Sequence, residues 1–175
     1  MTTATQISSG TITPIPAPAS SIDDQLSEEA AGILEQARLR AAERQLPFAG
    51  SVTPAEAWAL FSQGAVLLVD VRTIEERKFV GHVPNSLHVA WASGTSLTRN
   101  PRFVRELEAR TGKEQLVLLL CRSGKRSALA AEAATKAGFG NVFNVQEGFE
   151  GDLDDHQQRG GFNGWRFWNL PWVQD

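Results

Sequence analysis

The sequence predicts an α/β fold built on a parallel sheet with helices on both faces. Three observations carry this expectation. The short runs "AVLLVDV" (65–71), "LHVAW" (87–91), "QLVLLL" (115–120) and "NVFNV" (141–145) are apolar along most of their length, as strands buried on both faces are. Stretches of helical composition alternate with them. Glycine, proline or asparagine stands at most of the changeovers, where the chain has to turn.

The elements follow in order. Residues 1–22, rich in Thr, Ser, Pro and Ala, have the composition of a disordered tail. Residues 23–50 form a helical extension: Ser27 caps it, Glu28 and Glu29 fill its first turn, and Ile33, Leu34 and Ala37 give it a weak apolar stripe to about Arg44. It either lies on the domain or serves a partner. Residues 51–175 are the domain proper. Thr53, Pro54 and Glu56 write a capping box with proline at the first helical position, so "SVTPAEAWALF" opens a helix. After the strand at 65–71 come a short helix "IEERKF" (74–79), the turn "GHVPNS" (81–86) and the strand "LHVAW". "NPRFVRELEART" (100–111) is a helix stopped by Gly112, and "SALAAEAATKAG" (127–138) one stopped at Gly138, with strands 115–120 and 141–145 completing the alternation.

Composition narrows the function classes. The chain has 175 residues, 42% hydrophobic and 21% charged, with a net charge of −3. That is enough for one domain with a proper core. Mild acidity gives no reason to expect nucleic acid or an anionic membrane as partner. No apolar run reaches membrane-spanning length, and the N-terminus lacks the basic start and apolar core of a secretory signal. A cytoplasmic location is the expectation. With a single cysteine and three scattered histidines, no intrachain disulfide and no Cys/His metal cage are expected, and no cofactor is called for.

The chemistry concentrates at residues 116–134, "LVLLLCRSGKRSALAAEAA". Five aliphatics end at Cys121, the only cysteine, and Arg122, Lys125 and Arg126 follow around Gly124. In open parallel sheets ligands bind beyond the carboxyl ends of strands, and Cys121 lies at such an end. A thiol ionises more readily near cations and at a helix N-terminus, and this loop offers both. Gly124 lets the backbone curl so that successive N–H groups converge, and Ser123 and Ser127 add hydroxyl donors. The segment reads as a thiolate in an oxyanion-binding bowl. A buried core cysteine is the plainer reading, but it does not call for a basic, glycine-containing loop after it.

"CRSGKRS", between an apolar strand and an alanine-rich helix, resembles the active-site loop of rhodanese-type sulfurtransferases. "LLLVDVRTIEERKFVGHVPNSLHV" resembles the amino-terminal signature of the same family. The likeness covers about residues 51–149 and resumes at "GW…LPW". It implies a three-layer fold with about five parallel strands, a persulfide on Cys121, and substrate binding by Arg122, Ser123, Gly124, Lys125, Arg126 and Ser127. The implied partners are a small sulfur donor such as thiosulfate and a thiophilic acceptor: cyanide, a small thiol or a protein thiol.

Asp70 and Arg72 point to one side of a strand end, and an ion pair or hydrogen-bond network supporting the structure is preferred over a catalytic carboxylate. His82, in the turn "GHVPNS", is read as structural, and His88 and His156 have no evident partners. Two rivals to sulfur transfer remain. A carrier or recognition module would keep the fold without turnover of its own. Cysteine phosphatases and arsenate reductases also combine cysteine, anion loop and arginine. Phosphatases place one residue more between cysteine and arginine than the four here, and need a general acid that this sequence does not offer.

The chain departs from the family pattern in three places. It carries the N-terminal extension, Asn85 where glycine is common, and an acidic, glycine-rich insertion at 149–164. Asn85 tolerates the left-handed geometry of such a turn. Asp152, Asp154 and Asp155 lack an ion-binding spacing and read as a solvated loop. Phe162, Trp165, Phe167, Trp168 and Trp172 are expected to pack the tail onto the domain. The insertion is expected to edge the Cys121 pocket.

Overall fold

The computed structural model describes residues 26–175; the expected tail at 1–22 lies outside the described residues. Helices α1 (Glu28–Glu43), α2 (Pro54–Ser62), α3 (Ile74–Val80), α4 (Phe103–Thr111) and α5 (Lys125–Lys136) alternate with strands β1 (Gly50–Val52), β2 (Leu67–Asp70), β3 (Leu87–His88), β6 (Val117–Leu120) and β7 (Val142–Val145). These five strands form one parallel sheet in the order β1-β7-β6-β2-β3. Strands β4 (Ala92–Ser93) and β5 (Thr98–Arg99) make a separate antiparallel hairpin.

Side-chain alternation along the strands divides the core into two layers. Leu68, Leu118, Leu120, Phe143 and Val145 meet Leu34 and Ala37 of α1 and Ala57 and Leu60 of α2. Val69, Val117, Leu119 and Val142 meet Phe103 and Leu107 of α4 and Ala130, Ala131 and Ala134 of α5. This is the predicted class, an α/β sandwich around a five-stranded parallel sheet with an added N-terminal helix. That helix lies on the domain. Ser27 caps it, Ala30, Leu34, Ala37 and Ala41 are its buried stripe, and Arg40 reaches Glu56 of α2 at 2.9 Å.

Four local expectations are corrected. The fifth strand of the sheet is β1, a three-residue edge formed by pairing with β7, in a stretch that shows no apolar run. "LHVAW" is no continuous strand: it pairs as β3 over two residues and then leads into the hairpin, whose turn closes by a Leu97 N–H to Gly94 carbonyl bond. Helix α5 starts at Lys125, two residues before Ser127, because Gly124 takes up the left-handed conformation that launches it. The tail aromatics pack only in part. Trp165 is fully buried edge-on to Trp58, and Trp172 meets Phe149 edge to face while staying partly exposed, whereas Phe162, Phe167 and Trp168 are exposed. Asn85 does adopt the left-handed conformation, at φ 63°.

Among the described residues, no helix is long and apolar enough to cross a membrane.

Candidate active site

The candidate site is built where β6 gives way to α5. Cys121 follows the last residue of β6, and its neighbours on both sides pin the backbone there. The Val71 N–H donates to the Leu120 carbonyl from the β2 side, and the Phe149 N–H to the Cys121 carbonyl from the β7 side, both at 2.8 Å. The Glu150 N–H bonds the Arg122 carbonyl at 2.9 Å. Gly148 makes this approach possible: at φ 66°, a Cβ there would sit 2.5 Å from the Cys121 carbonyl oxygen. The base of the loop is therefore rigid before any side chain is considered.

Gly124 then turns the chain. At φ 86° it is the N-cap of α5, and its N–H donates to Cys121 Sγ at 3.1 Å. The Ser127 hydroxyl, in the first turn of the same helix, lies 3.2 Å from the sulfur. Helices α2 and α3 close their own N-termini with complete capping boxes, Thr53 with Glu56 and Thr73 with Glu76. Helix α5 has no side-chain cap. The group standing at its N-terminus is the sulfur, where backbone N–H groups and the helix dipole favour negative charge. Cys121 is 1% exposed and Ser127 fully buried, so water screens these interactions little.

The cations of the loop play separate parts. Arg126 donates to both carboxylate oxygens of Glu76, at 2.8 and 2.6 Å. Burial alone would push the Glu76 carboxyl up, but the Arg126 hydrogen bonds, the Thr73 N–H and the charges of Arg126 and Arg72 together hold it below its ordinary value. The hydrogen bonds to Glu76 raise Arg126 against the opposing effect of its burial. Lys125 is exposed, and Ser123 is half-buried. Arg122 lines a cavity of about 250 Å³ beside the loop, and its buried Nε has no hydrogen-bond partner among the described residues. Thr73, Glu75 and Glu76 form one wall of that cavity and Gly94, Thr95 and Leu97 of the hairpin turn another.

Asp70 and Arg72 are fully buried and bonded to each other, Nε to Oδ1 at 3.0 Å and Nη2 to Oδ2 at 2.7 Å. Arg72 Nη2 also donates to the Gly81 carbonyl, Arg77 adds a bond to Asp70, and the Arg72 guanidinium lies 4.2 Å over the Phe149 ring. His82 exchanges backbone bonds with Val173, which zips the C-terminus to the turn. His88, without an evident partner in the sequence, meets the Arg72 carbonyl at 2.8 Å through Nε2.

No residue of 149–164 lines the cavity; the start of that insertion instead braces the loop from behind through its backbone. Asp154 accepts from the His156 and Gln158 N–H groups, and Asp152 from Asn163, so these carboxylates organise their own loop. Three contributors escaped the sequence reading: Glu76, the hairpin turn, and Asn144, whose Oδ1 lies 2.6 Å from Ser127 Oγ. Asn144 left a signal as a lone amide in an otherwise apolar strand, and Glu76 as the last position of a Thr73-x-x-Glu76 capping box.

The Rhodanese-like domain family model matches residues 53–154, more than half of the chain and the whole of this site. The chain belongs to the rhodanese-like family. It is similar to an uncharacterized protein of Rickettsia rickettsii, the RP600 homolog, at 36% identity over 118 residues, which cover 65% of this chain and 87% of that one. The crystal structure of Rv0390 from M. tuberculosis superposes with a TM-score of 0.67 at 42% identity, over 73% of this chain and 99% of the other. The solution structure of the Rhodanese-like domain of Anabaena Alr3790 gives 0.53 at 13% identity, over 71% and 79%, a likeness of fold alone.

Proposed function

We propose that this rhodanese-like protein is a sulfurtransferase that carries sulfane sulfur on Cys121. The observation that carries the reading is the placement of Sγ at an uncapped helix N-terminus, within reach of the Gly124 N–H and the Ser127 hydroxyl. In the first half-reaction the thiolate attacks the outer sulfur of thiosulfate or a similar donor. A new S–S bond forms, the donor's S–S bond breaks, and sulfite leaves with the electron pair. In the second, cyanide or an acceptor thiolate attacks the outer sulfur of the persulfide, and Cys121 leaves as thiolate.

Arg122, Ser123, Gly124, Lys125, Arg126 and Ser127 make up the binding loop in this reading. Gly124 and Ser127 hold the sulfur, Arg122 meets the anionic end of the donor in the cavity, and Arg126 is held in place by Glu76. Asp70 and Arg72 support the neighbouring strand end. No general base is needed, because no proton moves in either displacement. Cys121 is the only cysteine, so the persulfide has no internal thiol to resolve it and the acceptor comes from outside. A reducing cytoplasm, which keeps such a thiol free, suits this chemistry.

Intact mass spectrometry after incubation with thiosulfate tests the reading. The expected result is a gain of one sulfur atom, absent in Cys121→Ala and reversed by cyanide. A sulfur adduct that reaches a protein thiol but supports no thiosulfate:cyanide turnover would make the protein a carrier. Hydrolysis of an aryl phosphate, lost in Cys121→Ser and without any sulfur adduct, would overturn sulfur transfer in favour of phosphatase chemistry.

A further inference from the structure

Strand β7 is buried along its whole length, and three of its four residues are Val, Phe and Val. The other is Asn144, 6% exposed, on the face turned to α5. An amide buried among aliphatics costs free energy unless it is bonded, so its presence needs a reason. Its Oδ1 lies 2.6 Å from Ser127 Oγ, and the same Ser127 oxygen lies 3.2 Å from Cys121 Sγ. Ser127 therefore stands between two groups, each of which can accept its hydroxyl proton. It has only one to give.

We propose that Asn144 is a positioning residue for the Cys121 sulfur: its amide holds the Ser127 proton while Cys121 is a thiol and, turned over, releases it to the sulfur while Cys121 is a thiolate. In the thiol state the Ser127 O–H donates to Asn144 Oδ1, the shorter of its two contacts, and the Ser127 lone pairs are free to accept the S–H. When the thiol loses its proton to solvent, the sulfur needs donors. The Ser127 O–H swings to Sγ, and the Asn144 amide rotates by half a turn so that Nδ2 donates to the vacated Ser127 oxygen. The amide can face Ser127 with an acceptor in one state and a donor in the other, because it carries both in nearly the same shape. Neither a carboxylate nor an aliphatic side chain can do this. If sulfur is transferred, the same exchange follows the charge on Sγ, which is lost when Cys121 attacks and bonds the outer sulfur and returns when it leaves. That kinetic consequence rests on the proposed function; the ionisation itself does not.

Other charges surround the sulfur. Arg122, Lys125 and Arg126 belong to its own loop and helix, and Asp70 and Arg72 to the end of the neighbouring strand. Glu76 stands on α3 bonded to Arg126, and Glu147 follows β7. The variants below leave all of them in place.

Because Cys121 is the only cysteine, the pH dependence of its alkylation by iodoacetamide, followed by intact mass, reads this sulfur alone. Asn144→Asp places a fixed acceptor and a negative charge beside Ser127, and the alkylation midpoint should rise by roughly one pH unit or more. Asn144→Leu leaves the Ser127 proton no partner but the sulfur, so the midpoint should fall. Ser127→Ala should raise it, and adding Asn144→Leu to that variant should shift it no further, since the connection is already cut. If the aspartate variant fails to fold in a thermal melt, the leucine and Ser127→Ala variants and their combination decide alone. Equal upward shifts for Asp and Leu, no shift for any variant, or additive effects of Ser127→Ala and Asn144→Leu would overturn the proposal. With thiosulfate, Asn144→Asp should form persulfide about tenfold more slowly at neutral pH and recover above its raised midpoint. Shifted midpoints without any sulfur adduct on the wild-type protein would keep the switch and remove the sulfur chemistry. A sulfur adduct with unmoved midpoints would do the reverse.

Discussion

Strands β2 and β6 end side by side, Asp70 opposite Leu120, and the chain leaves them in opposite ways. At the β2 exit the charges are spent on one another. The Asp70 carboxylate accepts from the Arg72 N–H, the Arg72 guanidinium and Arg77, and Arg72 goes on to the Gly81 carbonyl. At the β6 exit the charges are held apart. Arg126 is bound to Glu76, Lys125 is exposed, Arg122 lines a cavity and keeps a buried Nε without a hydrogen-bond partner among the described residues, and the helix that follows has no side-chain cap. Two polar strand ends of similar composition thus have different physics. Each exit keeps one buried guanidinium nitrogen without a hydrogen-bond partner among the described residues, Arg72 Nη1 and Arg122 Nε, but the Arg72 charge is neutralised by Asp70 whereas Arg122 has no ion-pair partner there and lines a cavity. A charge-paired network fixes a backbone, whereas an unpaired cation at a cavity holds binding capacity for something that arrives later.

The strongest test of this contrast is Asp70→Ala. It leaves the Arg72 guanidinium buried without its counter-ion, and urea unfolding should show a loss of about 3–5 kcal/mol. A loss under about 1 kcal/mol would mean that the charge-paired network is not what holds the β2 exit.

Glu76→Gln comes next, since Glu76 joins the two exits by capping α3 and clamping Arg126. A loss of roughly 1–2 kcal/mol at neutral pH is expected, the scale of charge-assisted bonds at a partly exposed site. Its pH dependence has a definite sign. The Glu76 carboxyl is lowered in the folded protein, so the ionised form is the one that folding favours. Its contribution is complete above the ordinary carboxylate range and fades as pH falls through the lowered folded value. Wild type and Glu76→Gln should therefore converge in stability in acid. A gap that persists unchanged there would assign the loss to packing.

The smallest effect on stability belongs to Arg122→Gln, expected within about 0.5 kcal/mol because the side chain has no partner to lose. Under the proposed function its effect should fall instead on the donor: KM for thiosulfate should rise by roughly tenfold. A destabilised protein with unchanged KM would make the β6 exit as structural as the β2 exit.

The strand, loop and helix around Cys121 were legible because each signal there is local. Five aliphatics, a glycine that accepts positive φ, and an alanine-rich run specify their conformations within about one turn of chain. The candidate sulfur could be named for the same reason. The partners of that sulfur were less accessible. Glu76 meets Arg126 across 50 residues of sequence, and the Thr73–Glu76 capping box that singles it out from Glu75 carries no information on that distant partner. The cavity wall at Gly94–Leu97 depends on a hairpin of two-residue strands, too short for periodicity to register.

By itself the sequence determined the layer class, the order of the main helices and strands, and the position of the only thiol at a strand's carboxyl end. Those properties follow from hydrophobic pattern and backbone preference, which act over a few neighbouring residues. Tertiary structure alone decided that β1 closes the edge of the sheet, that Arg126 is tied to Glu76 while Arg122 is left free, and that Asn144 stands behind Ser127. Each of these depends on strand order and register, which bring distant residues within hydrogen-bond reach only when the whole sheet assembles.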